Sequence, residues 1–183
     1  MGARGYAVEL YFDAAAETRV RGLWQRLADA GVNDVMATIG ARPHLSLAVY
    51  DRLDPAPVCE ALRRFATTVP DLSSLLGAFG TFPGEEGVVF TSPVVTSELL
   101  SLHARYHGCF AHLDAACLAY YRPGRWFPHC TVAIDVDAAG RSAAIDVCHA
   151  VGVPGPFTVT AIGLIEFRPV RTHCVHPVGG ARA

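Results

Sequence analysis

The chain has 183 residues, the size of one ordinary domain or of two small lobes sharing a core. Hydrophobic residues make up 51% and charged residues 17%, with a formal net charge of -2, which excludes intrinsic disorder, a collagen-like repeat and a polybasic nucleic-acid arm. All 15 basic residues are arginine, a composition that favours planar recognition of phosphate at individual sites.

The amino-terminal stretch has no apolar run long enough for a signal-peptide core, and Tyr6 stands where a myristoylation signal needs Ser or Thr, so a cytoplasmic protein is expected. Residues 6–12 read as a strand, and Asp13 as the cap of a helix over 14–30 whose apolar positions Val20, Leu23, Trp24 and Leu27 recur at spacings of three and four before Gly31 ends it. A strand over 43–50 follows, then a helix opened by Asp54 and Pro55 and running to about 68, then a strand over 72–82. The second half repeats that order. A strand over 87–95 leads to a helix capped by Thr96 or Ser97, with Leu99, Leu102, Tyr106, Phe110 and Leu113 on one face. After a loop rich in Tyr, Arg and Gly come a strand over 128–135, a helix over 138–150, and strands near 157–167 and 172–178. Pro83 and Gly84 mark the joint between halves. The uncharged stretch 147–165 is broken by Gly152, Pro154, Gly155 and Pro156, so no membrane helix is expected. Cys59, Cys109, Cys117, Cys130, Cys148 and Cys174 form no CxxC pair and are expected to be reduced, mostly buried thiols.

The informative feature is a pair of matching segments, PHLSLAV from Pro43 and PHCTVAI from Pro128. A bare H-x-[ST] is expected about once in a chain of this composition, but with the preceding proline the expected number falls to roughly 0.05. Two such copies, at matching places in a repeated strand-helix order, are not accidental. Side chains two apart on a strand share a face, so His44 points with Ser46 and His129 with Thr131, while Leu45, Leu47, Cys130 and Val132 turn the other way to pack. If the halves meet about an approximate twofold axis with these strands central, two imidazoles and two hydroxyls converge. In-line displacement at phosphorus needs a base at the attacking oxygen and an acid at the leaving oxygen, on opposite sides of the phosphorus. Two histidines near their ordinary pKa supply both without a metal, and the hydroxyls can donate to the non-bridging oxygens.

At these residues the chain resembles the two-histidine (2H) phosphoesterase superfamily, which includes 2'-5' RNA ligase-like proteins and cyclic phosphodiesterases; H-L-S at His44 to Ser46, H-C-T at His129 to Thr131 and the loop YYRPGRWFPH before the second copy carry the resemblance. It implies an α+β fold in a single bilobal domain, lobe one about 1–83 and lobe two about 84–183. Each lobe is an antiparallel sheet with outer helices, the two related by a pseudo-twofold axis around a central cleft, and the final strand is free to cross back. It also implies His44 and His129 as the catalytic pair, Ser46 and Thr131 as phosphate-binding hydroxyls, and no cofactor. The expected partner is a nucleotide or RNA-end phosphodiester, with neither a membrane nor an obligate protein partner. The low basic charge argues against a long RNA. Which histidine is acid and which base is not fixed by the motifs; His129 as base in hydrolysis is the assignment carried forward.

In the aromatic loop, Tyr121, Trp126 and Arg125, with Tyr120 and Arg122 beside them, are candidates for a stacking and phosphate-binding rim, the alternative being ordinary aromatic anchors in the core. Arg42 reads as a solvated surface charge. His103 and His107 have helical metal-ligand spacing, but Ala104 replaces the glutamate of H-E-x-x-H, and neither they nor His173, Cys174 and His176 are assigned as ligands. No Walker loop, Rossmann fingerprint or G-x-S-x-G elbow occurs, which argues against an ATP-dependent ligase, a dehydrogenase and a serine hydrolase. A binding module holding a nucleotide without turnover stands as the reading from a different class.

Overall fold

The computed structural model describes residues 5–179. Its elements run β1 (Gly5–Phe12), α1 (Ala14–Asp29), α2 (Val35–Thr38), β2 (His44–Tyr50), α3 (Pro55–Ala66), β3 (Ser73–Thr81), β4 (Val89–Pro93), α4 (Ser97–Cys109), two short 3-10 turns, β5 (Cys130–Ala133), α5 (Ala138–Val151), β6 (Gly155–Phe167) and β7 (Arg171–Pro177). The capping residues act as expected. Asp13 accepts from the Ala16 amide, Asp54 from Ala56, and Thr96 from Leu99. Two details differ. The turn after α1 contains the single-turn helix α2, and α4 stops at Cys109 because Phe110 leaves helical dihedrals (φ -112°, ψ 24°), passing Leu113 to a 3-10 turn.

All strand pairs are antiparallel, in the order β2-β1-β6-β3-β4-β5 with β7 also on β6. The long strand β6 joins two four-stranded layers: its first residues pair β3, and from Val159 onward it pairs β1, with β7 beside it. The halves therefore exchange strands. β3, from the first half, lies beside β4, and β6, from the second half, lies beside β1. Pro83 and Gly84, the expected joint, lie in the loop of the β3–β4 hairpin.

The helices bury their apolar stripes against this sheet. Ala16, Val20, Leu23, Trp24 and Leu27 of α1, and Val58, Leu62 and Phe65 of α3, join Leu45, Leu47, Ile162 and Leu164 in one core. Burying each Val, Leu, Ile or Phe among them contributes about 1.5–3 kcal/mol. The expectation of six reduced cysteines is corrected: Cys59 of α3 is disulfide-bonded to Cys174 of β7, with Cα atoms 5.9 Å apart across a sequence separation of 115. Nothing local in the sequence announces that pairing, because it follows from β7 packing along α3. Cys117, Cys130 and Cys148 are free and buried, and Cys109 is free and exposed. Among the described residues no helix is long and apolar enough to cross a membrane.

Candidate active site

The motif strands β2 and β5 are not central in the strand order but stand at its two ends. The curvature of the sheet nevertheless brings them together, with Cα atoms of one within 8 Å of the other. Leu45, Leu47, Cys130 and Val132 are buried on the packing side, as period-two alternation requires, while His44, Ser46, His129 and Thr131 are half-buried. Burial in the core pushes the Cys130 thiol up to about 12.

Both imidazoles are anchored alike. His44 Nδ1 donates to the Arg42 carbonyl at 2.6 Å, and His129 Nδ1 to the Phe127 carbonyl at 2.8 Å. Each ring is thereby held with Nε2 as its second, reactive nitrogen. Their surroundings differ. His129 sits among the rings of Phe82 and Phe90, at centroid distances of 4.8 and 5.4 Å, and burial followed by repulsion from His44 pulls its pKa below the ordinary value, against the Phe127 hydrogen bond. Phe127 completes that aromatic wall, 5.4 Å from Phe90 and half-exposed. His44 Nε2 instead faces the Glu9 carboxylate at 3.2 Å. Glu9 is almost wholly buried, and burial raises its carboxyl against the opposing pull of His44, the Tyr11 hydroxyl and Arg42.

The hydroxyl residues are held by the chain's two tryptophans. Trp24 of α1 donates its indole N–H to the Thr131 carbonyl at 3.0 Å, and Trp126 donates to the Ser46 carbonyl at 2.9 Å. Each indole crosses from one half to the free edge of the other half's motif strand. Trp126, expected in the substrate rim, has its ring stacked on His103 at 4.0 Å and 2°. His103 in turn bonds the Tyr121 carbonyl at 2.8 Å, and burial, followed by repulsion from His107, pulls its pKa down to about 4. His107 bonds the Leu47 carbonyl at 3.3 Å. These two histidines thus brace β2 from behind.

The remaining rim residues are spread out. The Tyr121 hydroxyl bonds Ser46, and burial raises its pKa. Arg122 is spent on the Asp114 and Cys117 carbonyls, whereas Arg125 and Tyr120 are exposed. Arg42, read as solvated, is corrected: it pairs with Glu17 and lies over the Tyr11 ring, 4.2 Å from its centroid. Sequence reasoning misses Glu9, Phe82 and Phe90, and finds Trp24 only as a core residue. The one available signal is an acidic residue interrupting the apolar run of 6–12. Among the described residues no three His, Cys, Asp or Glu side chains are grouped to hold a metal ion.

Comparison with known proteins identifies the fold and the superfamily. No curated protein matches the sequence. E. coli LigT in apo form superposes with a TM-score of 0.57 at 18% identity, covering 98% of this chain and 96% of that one. TT0787 of Thermus thermophilus gives 0.60 at 13% identity, over 98% and 100%. E. coli LigT complexed with 3'-AMP gives 0.53 at 18%, over 97% of each chain. These likenesses establish the fold. Residues 12–170 match the family model described as the 2'-5' RNA ligase superfamily, and the chain belongs to that superfamily.

Proposed function

We propose that the protein is a metal-independent phosphoesterase that opens a 2',3'-cyclic phosphate on a small nucleotide or RNA end, with reverse 2'-5' joining open to the same site. The observation that carries the reading is the matching anchoring of His44, at the start of β2, and His129, immediately before β5, through Nδ1, with a hydroxyl residue two positions on from each. The binding of 3'-AMP by a LigT of the same fold supports a nucleotide as ligand.

In hydrolysis, His129 Nε2 takes a proton from water as the water oxygen bonds to phosphorus. The bond from phosphorus to one ribose oxygen breaks, its electron pair stays on that oxygen, and a proton from His44 Nε2 neutralises it. Ser46 and Thr131 donate to the non-bridging oxygens. Tyr121 orients Ser46, and the exposed Arg125 is available to a flanking phosphate. On this reading Trp126 contributes by fixing Ser46.

The test is product analysis with a panel of cyclic phosphates and 2'-5' linked oligonucleotides, in excess chelator and without ATP. Wild type turns over at least one member, and His44→Ala or His129→Ala lowers that turnover by about 10²-fold or more while nucleotide affinity changes less. Ser46→Ala and Thr131→Ala lower both. Binding without turnover across the panel gives the non-catalytic module instead, and activity restored by a divalent metal after chelation refutes the metal-free mechanism. The cytoplasm is the compartment proposed. Trapping thiols at lysis tests it against the Cys59–Cys174 bridge, by showing whether the chain in the cytosolic fraction carries that pair blocked or free.

A further inference from the structure

The two motif ladders agree down to their irregularities. Register shifts between Val8 and Glu9 in the β1–β2 ladder, and between Val89 and Phe90 in the β4–β5 ladder. Immediately after the shift, Glu9 stands opposite Ser46 in one ladder and Phe90 opposite Thr131 in the other. One half thus carries a carboxyl where the other carries an aromatic ring. Both are buried, at 2% and 4% exposure.

A lone buried carboxylate beneath a phosphate would be doubly unfavourable, through lost hydration and through repulsion of the substrate. The 3.2 Å contact between Glu9 Oε1 and His44 Nε2 removes both objections. Since His44 Nδ1 already donates to the Arg42 carbonyl, a single proton lies between Nε2 and Oε1, and the pair is neutral whichever atom carries it. Resting on the phosphodiester reading above, we infer that Glu9 and His44 act as one acid holding a single transferable proton, which assigns His44 to the leaving oxygen and His129 to the attacking water. Glu9 is a positioning residue acting through His44.

The groups facing the pair leave it alone with His129 between about pH 5 and 9. On β1 the Tyr11 hydroxyl bonds Glu9, and from the loop Tyr121 approaches it; burial raises both phenols. Arg42, before β2, is paired with Glu17 of α1. From β5, Cys130 is a thiol raised to about 12, so His129 is the other group there that exchanges protons. When the ribose oxygen leaves, it takes the shared proton and the pair becomes an anion, which solvent reloads as His129 releases the proton taken from water.

The experiment compares wild type, Glu9→Gln, Glu9→Asp and the two single histidine-to-alanine variants on a 2',3'-cyclic nucleotide and on a p-nitrophenyl nucleotide phosphodiester, whose leaving group needs no proton. Glu9→Gln is expected to slow the cyclic substrate by at least about tenfold and to leave the p-nitrophenyl ester nearly untouched, as His44→Ala does, whereas His129→Ala slows both. Its high-pH limb on the cyclic substrate moves to lower pH, and Glu9→Asp recovers part of the rate. Equal losses on both esters, or none, overturn the inference. A second readout does not depend on turnover: in substrate-free protein labelled with 15N-histidine, Glu9→Gln moves the His44 Nε2 resonance towards that of an unprotonated nitrogen and leaves His129 in place. If wild type turns over neither ester, the phosphodiester reading fails while this resonance still decides the shared proton; an unmoved resonance refutes the shared proton alone.

Discussion

The His44 half and the His129 half share one construction. Each motif strand is an edge strand held by a tryptophan from across the molecule, each imidazole is tied through Nδ1 to a carbonyl two residues upstream, and each ladder shifts register at the same point. They differ in what surrounds the imidazole and in what backs the tryptophan. Glu9 faces His44 while Phe82 and Phe90 enclose His129; behind Trp126 stacks His103, while over Trp24 lies Arg21, 5.6 Å from its centroid. On the proposed mechanism, a symmetric frame with unlike environments gives each imidazole a fixed role, the carboxyl favouring a proton at His44 and the aromatic wall favouring a neutral His129.

The largest test of that contrast uses acid. Unfolded, His103 has an ordinary pKa of 6.5; folded, it protonates only near 4. Between those values the unfolded chain binds more protons, so stability falls as pH drops through 6.5 and the loss levels off near 4, at up to about 3 kcal/mol. Urea unfolding between pH 7 and 4.5 should therefore show a loss that His103→Gln largely removes. His129, also depressed, contributes in the same direction. A slope unchanged in His103→Gln would show that the bracing of Trp126 is not the acid-sensitive element.

Next in size is the aromatic wall. Phe90→Leu admits water to His129 and costs about 1–2 kcal/mol of stability. With less burial the imidazole returns towards its ordinary pKa, so the limb of the pH–rate curve on which the base must lose its proton moves to higher pH. A shift of the opposite limb instead would reverse the roles assigned to the two histidines.

The smallest effect concerns the shared device. Trp24→Phe and Trp126→Phe each remove one indole hydrogen bond, worth about 1 kcal/mol, and each should lower the midpoint of thermal unfolding by about 2–4 °C. Both should also reduce turnover by loosening Thr131 or Ser46. If only one of them does, the two halves are not equivalent at their hydroxyls.

Much of this was legible locally. Strand alternation and helical spacing placed the elements, with Asp13, Asp54 and Thr96 marking helix starts, because these signals act within a few residues. The repeated P-H-x-[ST] pointed to the four polar residues of the proposed site for the same reason: two positions apart on a strand means one face. Glu9 was not legible as a partner of His44, since in sequence it is one acidic residue in an apolar strand and gains its meaning only from the shifted register with β2. Trp126, expected at the substrate rim, turned out to hold the Ser46 carbonyl, a contact across 80 residues.

The sequence by itself determined the family motif, the order of elements and the side-chain faces on each strand, all of which follow from short-range stereochemistry. Tertiary structure alone decided the exchange of β3 and β6 between halves, the meeting of two edge strands, the Cys59–Cys174 bridge, and the carboxyl beside one histidine where the other has a ring. Each of those joins residues far apart in the chain, and such pairings are selected by global burial and register rather than by any local preference.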